Sequence, residues 1–343
     1  MRIGLIARAD KTGLGIQTYE FYKHMNPDKV LVVDLSHCSG QQPNMDMYPG
    51  ATVWHDKRYP GTEIFHDPVV DEFLKDLDVV FTCETPYSYY LYVKANEMGV
   101  KTVQQFNFEF LDYLCVDNLP FPTLLASPST WNLERVKQLP TRVEHLPVPV
   151  NRDLLPFRRR DRLRKILHTA GTPAVEDRNG THLLAEAMAH VKSDVKLEIK
   201  TQKNLAVRQT HNVTVNHSKP DNYADLYGDH DAYAIPRKFG GLCLPMNEAI
   251  STGMVVISSR IPPQTSWLPR QTLVGGHVSM QLMKTTMIDI FETDVIELAA
   301  KIDELAEDDT LFGSLSDHMN ELADALDWKN QKPKYLEMFE SLF

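Results

Sequence analysis

The sequence predicts an α/β protein built as two doubly wound, parallel-sheet domains in tandem. Three observations predict it. Short apolar runs alternate with amphipathic stretches through the first half, as in buried parallel strands joined by helices. A proline-rich stretch without periodicity, EHLPVPVNRDLLPF (144–157), interrupts the pattern. The same alternation then restarts, and 343 residues suit two cores of ordinary size better than one.

The elements follow in order. IGLIA (3–7), VLVVD (30–34), DVVFT (78–82), KTVQQF (101–106) and TLLAS (123–127) read as strands. Between them, residues 16–25 put Ile16, Tyr19, Tyr22 and Met25 on one helical face, and SYYLYVKANEMG (88–99) stops on Gly99. The three prolines of 144–157 favour extended backbone and mark a linker. Beyond it, KILHTAG (165–171) is a strand, and 181–191 a helix with Leu183, Leu184, Ala187, Met188 and Val191 on one stripe. VKLEIK (195–200), NVTVN (212–216), AYAI (232–235) and MVVIS (254–258) are the next strands. From Asp294 the pattern is helical, with Leu311, Leu315, Met319, Leu322 and Leu326 on one face. The predicted domains are 1–147 and 148–327, with a final helix in 328–343 returning to the first. Two such sheets are expected to face a central cleft, with ligands at their carboxyl edges.

Composition narrows the function. A net charge of −10 disfavours a nucleic-acid groove, since phosphate binding runs on Lys and Arg. The basic run RRRDRLRK (158–165) reads as a solvated loop leading into a strand. No apolar run reaches membrane-spanning length. MRIGLIARADKTG reads as a buried first strand, not a signal peptide, so the expected location is cytoplasmic. Cys38, Cys83, Cys115 and Cys243 show no metal-ligand spacing and read as reduced thiols.

The most informative stretch is RKFGGLCLPMNEAISTG (237–253). It lies after one strand and opens a helix before the next. Pro245 suits the first helical turn and Gly253 the stop. Free backbone N–H groups, a positive helix end, the Gly240–Gly241 turn and the Arg237–Lys238 pair together suit a phosphate or diphosphate. The bland alternative is a tight turn with exposed cations and a glutamate that favours the helix dipole. The loop alone leaves both open.

GGLCLPMNEAISTGMVVIS resembles the donor-binding segment of GT-B-fold glycosyltransferases, especially the retaining enzymes of family 4. Their segment runs Pro-Ser-x-x-Glu-Gly-x-Gly-Leu-Pro-x-x-Glu-Ala, a small residue, Gly and a Val-Ile strand. Pro236, Leu244, Pro245, Glu248, Ala249, Gly253 and Val256-Ile257 fit it. The resemblance implies two Rossmann-like domains and a nucleotide-sugar donor, with Glu248 on the ribose hydroxyls. It departs at Gly240, where the family has a glutamate for the donor sugar; the backbone N–H groups of Gly241 and Leu242 are the substitutes expected here. ADKTGLGIQT (9–18) is similar to the family's glycine-rich loop, so Gly13 and Gly15 are expected near the donor phosphate or the acceptor. HLPVPVN (145–151) matches the family's interdomain linker. The family's diphosphate clamp, an Arg and a Lys, falls here on Thr172 and Asn179, so Arg178, Arg237 and Lys238 are expected to replace it. RADKTGLG and the Gly-Gly form of the segment look most like tailed-bacteriophage glycosyltransferases. The likeness spans most of the chain, but only 236–257 is specific.

The implied reaction is sugar transfer with retention, without metal or cofactor, from a uridine, guanosine or adenosine diphosphate sugar to a protein or glycan. Asp10, Asn107 and Glu109 are the catalytic candidates on the acceptor side. For each of them capping or turn formation is the bland role. Asp229-His230-Asp231 resembles the metal-binding Asp-x-Asp of a different glycosyltransferase fold, but it falls just before the AYAI strand, where the resembling family often has an Asp with no metal role; His55, His66, His168 and His217 lack metal spacing, so no metal site is expected. Three alternatives stand beside this. One is a phage enzyme that glycosylates DNA bases. Another is a nucleotide-sugar-binding protein without catalysis, suggested by Gly240. The third is a nicotinamide-dependent oxidoreductase, suggested by Gly13-Leu-Gly15 and Asp34.

Overall fold

The computed structural model describes residues 1–343 except 41, 56–62, 112–117, 172–176, 203, 208, 219, 221 and 285, and only the backbone of 38 and 39. Thr172 and Cys115 therefore lie outside the described residues. The chain divides into Met1–Val148 with Gln331–Phe343, and Pro149–Asn330.

The first unit runs β1 (Ile3–Ala7), α1 (Gly13–Met25), β2 (Lys29–Val33), α2 (Ser36–Ser39), β3 (Thr52–Trp54), α3 (Pro68–Leu74), β4 (Val79–Cys83), α4 (Tyr90–Met98), β5 (Lys101–Gln105), β6 (Leu124–Ser127), α5 (Leu133–Val136) and β7 (Arg142–His145). Its sheet is parallel, in the order β3-β2-β1-β4-β5-β6-β7. β1 and β4 are buried at every position, as continuous apolar runs require. α1 starts earlier than its periodicity suggested, so the glycine stretch is its first turn. Thr12 caps it by accepting the Gly15 N–H at 3.2 Å. A Cβ on Gly15 would lie 2.1 Å from the Asp10 carbonyl oxygen, so only glycine lets the helix start so close to β1. Of the expected face Met25 is buried, whereas Ile16, Tyr19 and Tyr22 are only half-buried and Gln17, Thr18 and Phe21 are inside instead. Polar burial is satisfied there, with Gln17 donating to Gln105 at 2.5 Å and Thr18 donating to the Leu14 carbonyl at 3.1 Å. α4 ends on Gly99 in the left-handed conformation, φ 75°.

The second unit runs β8 (Lys165–Thr169), α6 (Thr181–Ala187), β9 (Lys196–Lys200), β10 (Val213–Asn216), β11 (Ala232–Ile235), α7 (Leu244–Ser251), β12 (Val255–Ser259), β13 (Leu273–Val274), β14 (Gly276–Met283), β15 (Met287–Thr293), α8 (Val295–Glu307) and α9 (Asp309–Leu326). Its main sheet is also parallel, in the order β10-β9-β8-β11-β12-β13. β14 and β15 form a separate antiparallel hairpin that the sequence reading did not anticipate. α10 (Trp328–Glu340) carries the chain out of this unit, and from Gln331 on it belongs to the first. There Tyr335 and Phe339 pack on Phe21 and Phe81, whose rings stack at 4.3 Å.

The basic run 158–165 is not uniformly solvated. Arg160 is only 4% exposed, and its guanidinium donates to the Tyr227, Gly228 and Thr252 carbonyls. Arg159 donates to Asp317. Asp231 accepts the backbone N–H groups of Arg164 and Lys165, both at 2.8 Å, and so fixes the start of β8.

Candidate functional site

Each sheet reverses its strand order once near its middle, between β1 and β4 in the first unit and between β8 and β11 in the second. Loops leaving the carboxyl ends of strands at such a point diverge and leave room for a ligand.

In the second unit the described parts of these loops are 170–171, 177–180 and 236–243. The Lys238 N–H donates to the Arg178 carbonyl at 2.9 Å, which ties the two loops together. Gly180 takes φ 70°, and a Cβ there would lie 2.1 Å from the Pro236 carbonyl oxygen. The Arg178 guanidinium lies 5.9 Å from the centre of the Phe239 ring. Arg237 is 2% exposed; its Nε donates to the Phe239 carbonyl at 2.8 Å, while Nη2 is buried without a hydrogen-bond partner among the described residues. Gly240 has φ 116°, and its missing Cβ would stand 2.4 Å from that Nη2. The turn is thus wrapped around a guanidinium. Lys238 is steadied from the other side: its carbonyl accepts the Phe291 N–H at 3.0 Å, and its Nζ lies 3.7 Å from Glu292. Gly241 and Leu242 complete the turn into α7. No side chain among the described residues caps α7, with Cys243 at the N-cap. The helix ends at Gly253, φ 83°.

Glu248 sits one turn inside α7 and is 5% exposed. Its Oε2 accepts the hydroxyls of Tyr223 at 2.7 Å and Tyr227 at 2.6 Å. Burial, and then the Glu248 charge, push both tyrosines well above their usual range. The sign for stability follows. A raised folded pKa keeps Tyr227 protonated where the unfolded chain ionises, so its contribution is complete below pH ~10 and falls as pH rises beyond it. Tyr227→Phe should flatten the alkaline loss of stability above pH ~10 by about 1.4 kcal/mol per pH unit, read by urea denaturation. An unchanged slope would place the carboxylate–tyrosine pair outside the alkaline transition.

The other expected clamp residue is engaged elsewhere. Asn179 donates to the Thr169 carbonyl at 3.0 Å, at the end of β8. Asp177 accepts the Thr181 and His182 N–H groups, both at 2.9 Å, so a carboxylate already occupies the start of α6. The uncapped start is that of α7.

In the first unit, Asp10 follows β1. It accepts from the Arg8 guanidinium at 2.5 Å, from the Thr12 N–H at 2.9 Å and from the Thr12 hydroxyl. Burial opposes the Arg8 charge, but the neighbouring Tyr87 and Asp10 outweigh it and hold its pKa high. Asn107 follows β5 and donates to Glu84 at 3.4 Å. Glu109 is 2% exposed, inside the single turn Phe108–Phe110. The loop after β4 joins these groups and holds two non-glycine residues in the left-handed region, Glu84 at φ 66° and Tyr87 at φ 59°. Each such residue costs about 1–3 kcal/mol, and such strain concentrates at ligand sites. Sequence reasoning missed Arg8, Glu84, Tyr87, Tyr223 and Tyr227. A cation directly after the first strand was the one available signal among them.

His168 is fully buried and satisfied, with Nδ1 on the Ala234 carbonyl at 2.8 Å and Nε2 on Thr181 at 2.9 Å. No cluster of three or more His, Cys, Asp or Glu suited to a metal occurs among the described residues. No helix among them is long and apolar enough to cross a membrane.

No protein-family model and no curated protein sequence matches the chain. Solved structures do. HepE from Anabaena, in complex with UDP and glucose, aligns at 13% identity with a TM-score of 0.70, over 99% of this chain and 100% of that one. A sucrose-phosphate synthase from Thermosynechococcus elongatus aligns at 14% identity with a TM-score of 0.70, over 100% of this chain and 99% of that one. The pneumococcal O-GlcNAc transferase GtfA, in complex with UDP and GlcNAc, aligns at 14% identity with a TM-score of 0.56, over 82% and 61%. The fold class is therefore that of the GT-B glycosyltransferases: two Rossmann-like domains, each with a parallel sheet.

Proposed function

We propose that the chain is a glycosyltransferase that takes a sugar from a uridine diphosphate donor and passes it to a glycan or protein. One observation carries the proposal. Arg178, Arg237 and Lys238 lie in two tied loops at the switch point of the second sheet, one of which leads into α7, with Glu248 one turn inside that helix. An arrangement of backbone N–H groups and cations suits a diphosphate that gains charge as it leaves. A carboxylate accepts hydroxyl protons, which suits a ribose. The uridine choice follows from UDP in the HepE and GtfA complexes. Retention of configuration, transfer without a metal, action in the cytoplasm and kinship with family 4 enzymes of tailed bacteriophages are parts of the same proposal. Retention and transfer without a metal rest on the resemblance of 236–257, the phage kinship on RADKTGLG together with the Gly-Gly turn, and the cytoplasmic location on Ile3–Ala7 being a buried strand. On the acceptor side, Arg8, Asp10, Glu84 and Asn107 are the polar groups at the first switch point.

A role in binding sugar nucleotides without transfer is favoured by Gly240, where the family motif has a glutamate and the Arg237 guanidinium fills the space. Thermal shift with uridine, guanosine and adenosine diphosphate sugars, and nicotinamide dinucleotides as controls, tests the donor. A ligand at a hundred times its dissociation constant adds about 2.7 kcal/mol. Stabilisation by uridine diphosphate sugars above the others is the expected result, and hydrolysis or transfer of the sugar separates an enzyme from a binder. A response confined to the dinucleotides would overturn the proposal.

A further inference from the structure

We propose, on the reading of Glu248 as a ribose ligand, that Arg160 is its positioning residue and acts through the turn that carries Tyr223 and Tyr227. Arg160 belongs to the basic run 158–165, a cluster of cations that the donor reading leaves without a role.

Tyr227 is held at both ends. Its hydroxyl donates to Glu248 at 2.6 Å, and its carbonyl accepts from Arg160 Nη2 at 3.4 Å. Tyr223, in the short helical turn Tyr223–Leu226, donates to the same carboxylate oxygen at 2.7 Å. Arg160 Nη1 donates to the next carbonyl, that of Gly228, at 3.3 Å, and Nη2 also donates to the Thr252 carbonyl at 3.4 Å. Thr252 closes α7, with its N–H on the Glu248 carbonyl at 3.2 Å. One planar guanidinium therefore joins the tyrosine turn to the end of the helix that carries Glu248. Each of its bonds is long and weak alone, but three from one rigid fork fix a placement. A glutamate side chain turns about several bonds, and the two hydroxyls select one rotamer only while their turn keeps its place beside α7.

Arg160 is anchored in its turn. Its backbone N–H donates to Ser316 Oγ at 2.9 Å, and the Ser316 hydroxyl donates to the Gly253 carbonyl at 2.7 Å, just past α7. The arrangement is costly. A guanidinium on a residue 4% exposed has no carboxylate partner among the described residues, and burial, then the Arg158 charge, lower its pKa. An apolar side chain would avoid that cost and leave the turn and the helix unjoined.

Titration calorimetry with UDP, which contains the ribose, tests the role at a temperature where each variant is fully folded. Arg160→Met should bind UDP about tenfold more weakly than the native chain. Arg160→Met combined with Glu248→Gln should bind no more weakly than Glu248→Gln alone, because Arg160 acts only through that carboxylate. Arg160→Lys keeps the charge and loses the planar fork, so it should fall between the native chain and Arg160→Met, and it runs the same cycle if the methionine variant does not fold. Arg162→Ala removes an exposed cation of the same run and should bind as the native chain does. Full affinity in Arg160→Met makes Arg160 a structural group and overturns the proposal. So does a double variant about tenfold weaker than Glu248→Gln, or an equal loss in Arg162→Ala. If Glu248 is not a ribose ligand, Glu248→Gln itself binds UDP as the native chain does, and the positioning role falls with it. Hydrogen exchange needs no nucleotide. The Tyr227 and Gly228 amides, bonded to the Ala224 and Asp225 carbonyls, should lose protection relative to β11 in Arg160→Met and not in Arg162→Ala. Unchanged protection there overturns the proposal as well.

Discussion

Gly240→Ala should destabilise the second unit by about 2–6 kcal/mol and remove donor-induced stabilisation. Two effects add. The new methyl group would stand 2.4 Å from Arg237 Nη2 and 2.9 Å from its Nε, so the guanidinium of a residue only 2% exposed must shift. The backbone at φ 116° is also one that L side chains rarely adopt. Pairing the change with Arg237→Ala separates the two. The double variant keeps the backbone strain and loses the clash, so Gly240→Ala should cost less in that background, with a coupling of about 1–3 kcal/mol. Urea denaturation of the four proteins measures it. A single variant within about 0.5 kcal/mol of native would show that the turn is not built around the guanidinium. The same geometry bears on the family motif. Gly240→Glu alone should fail as Gly240→Ala does, because position 240 has no space for a side chain while Arg237 fills it.

The parallel strands were the most legible part of this fold. Ile3–Ala7, Ala232–Ile235 and Val255–Ser259 are buried throughout, and unbroken apolar runs announce that. β3 and β7 escaped notice because they are short edge strands with mixed polarity, Thr-Val-Trp and Arg-Val-Glu-His. The β14–β15 hairpin escaped for another reason. Its pairing shifts between Val278 and Met280, and methionines on both faces blur the alternation. In the candidate site, local sequence exposed the 237–253 segment, because glycine, proline and a helix start are punctuation read along the chain. It did not reveal Tyr223 and Tyr227, which reach Glu248 only through the packing of their turn against α7. Nor did it show that Arg237 is buried: a cation beside glycines reads as exposed until Phe239 and Gly240 are seen to cover it. The left-handed Glu84 and Tyr87 have no signal at all, since neither residue type favours that conformation.

Glu248→Ala should have the second large effect, on stability and donor binding together. The carboxylate accepts two tyrosine hydroxyls, and Tyr227 is fully buried, so alanine strands donors away from water. Each stranded group costs about 1–3 kcal/mol, which puts the loss of the two near 2–6 kcal/mol. Glu248→Gln is the informative contrast. Its amide oxygen still accepts from the tyrosines, so stability should fall by no more than about 1–2 kcal/mol, while replacing a charged acceptor should weaken a ribose contact about tenfold to a hundredfold. The alkaline behaviour should change in step. The Glu248 charge is the second cause of the raised tyrosine pKa values, after burial, so the glutamine variant should lose stability above pH ~10 with the same initial slope but over a narrower pH range. Titration calorimetry with the donor found by thermal shift, run beside urea denaturation, separates the two roles. If glutamine binds the donor as tightly as the native chain, Glu248 is a structural acceptor for Tyr223 and Tyr227 and not a ligand for the nucleotide. If alanine and glutamine lose donor binding equally while only alanine loses stability, the charge of Glu248 is what the nucleotide reads and the tyrosines serve to aim it.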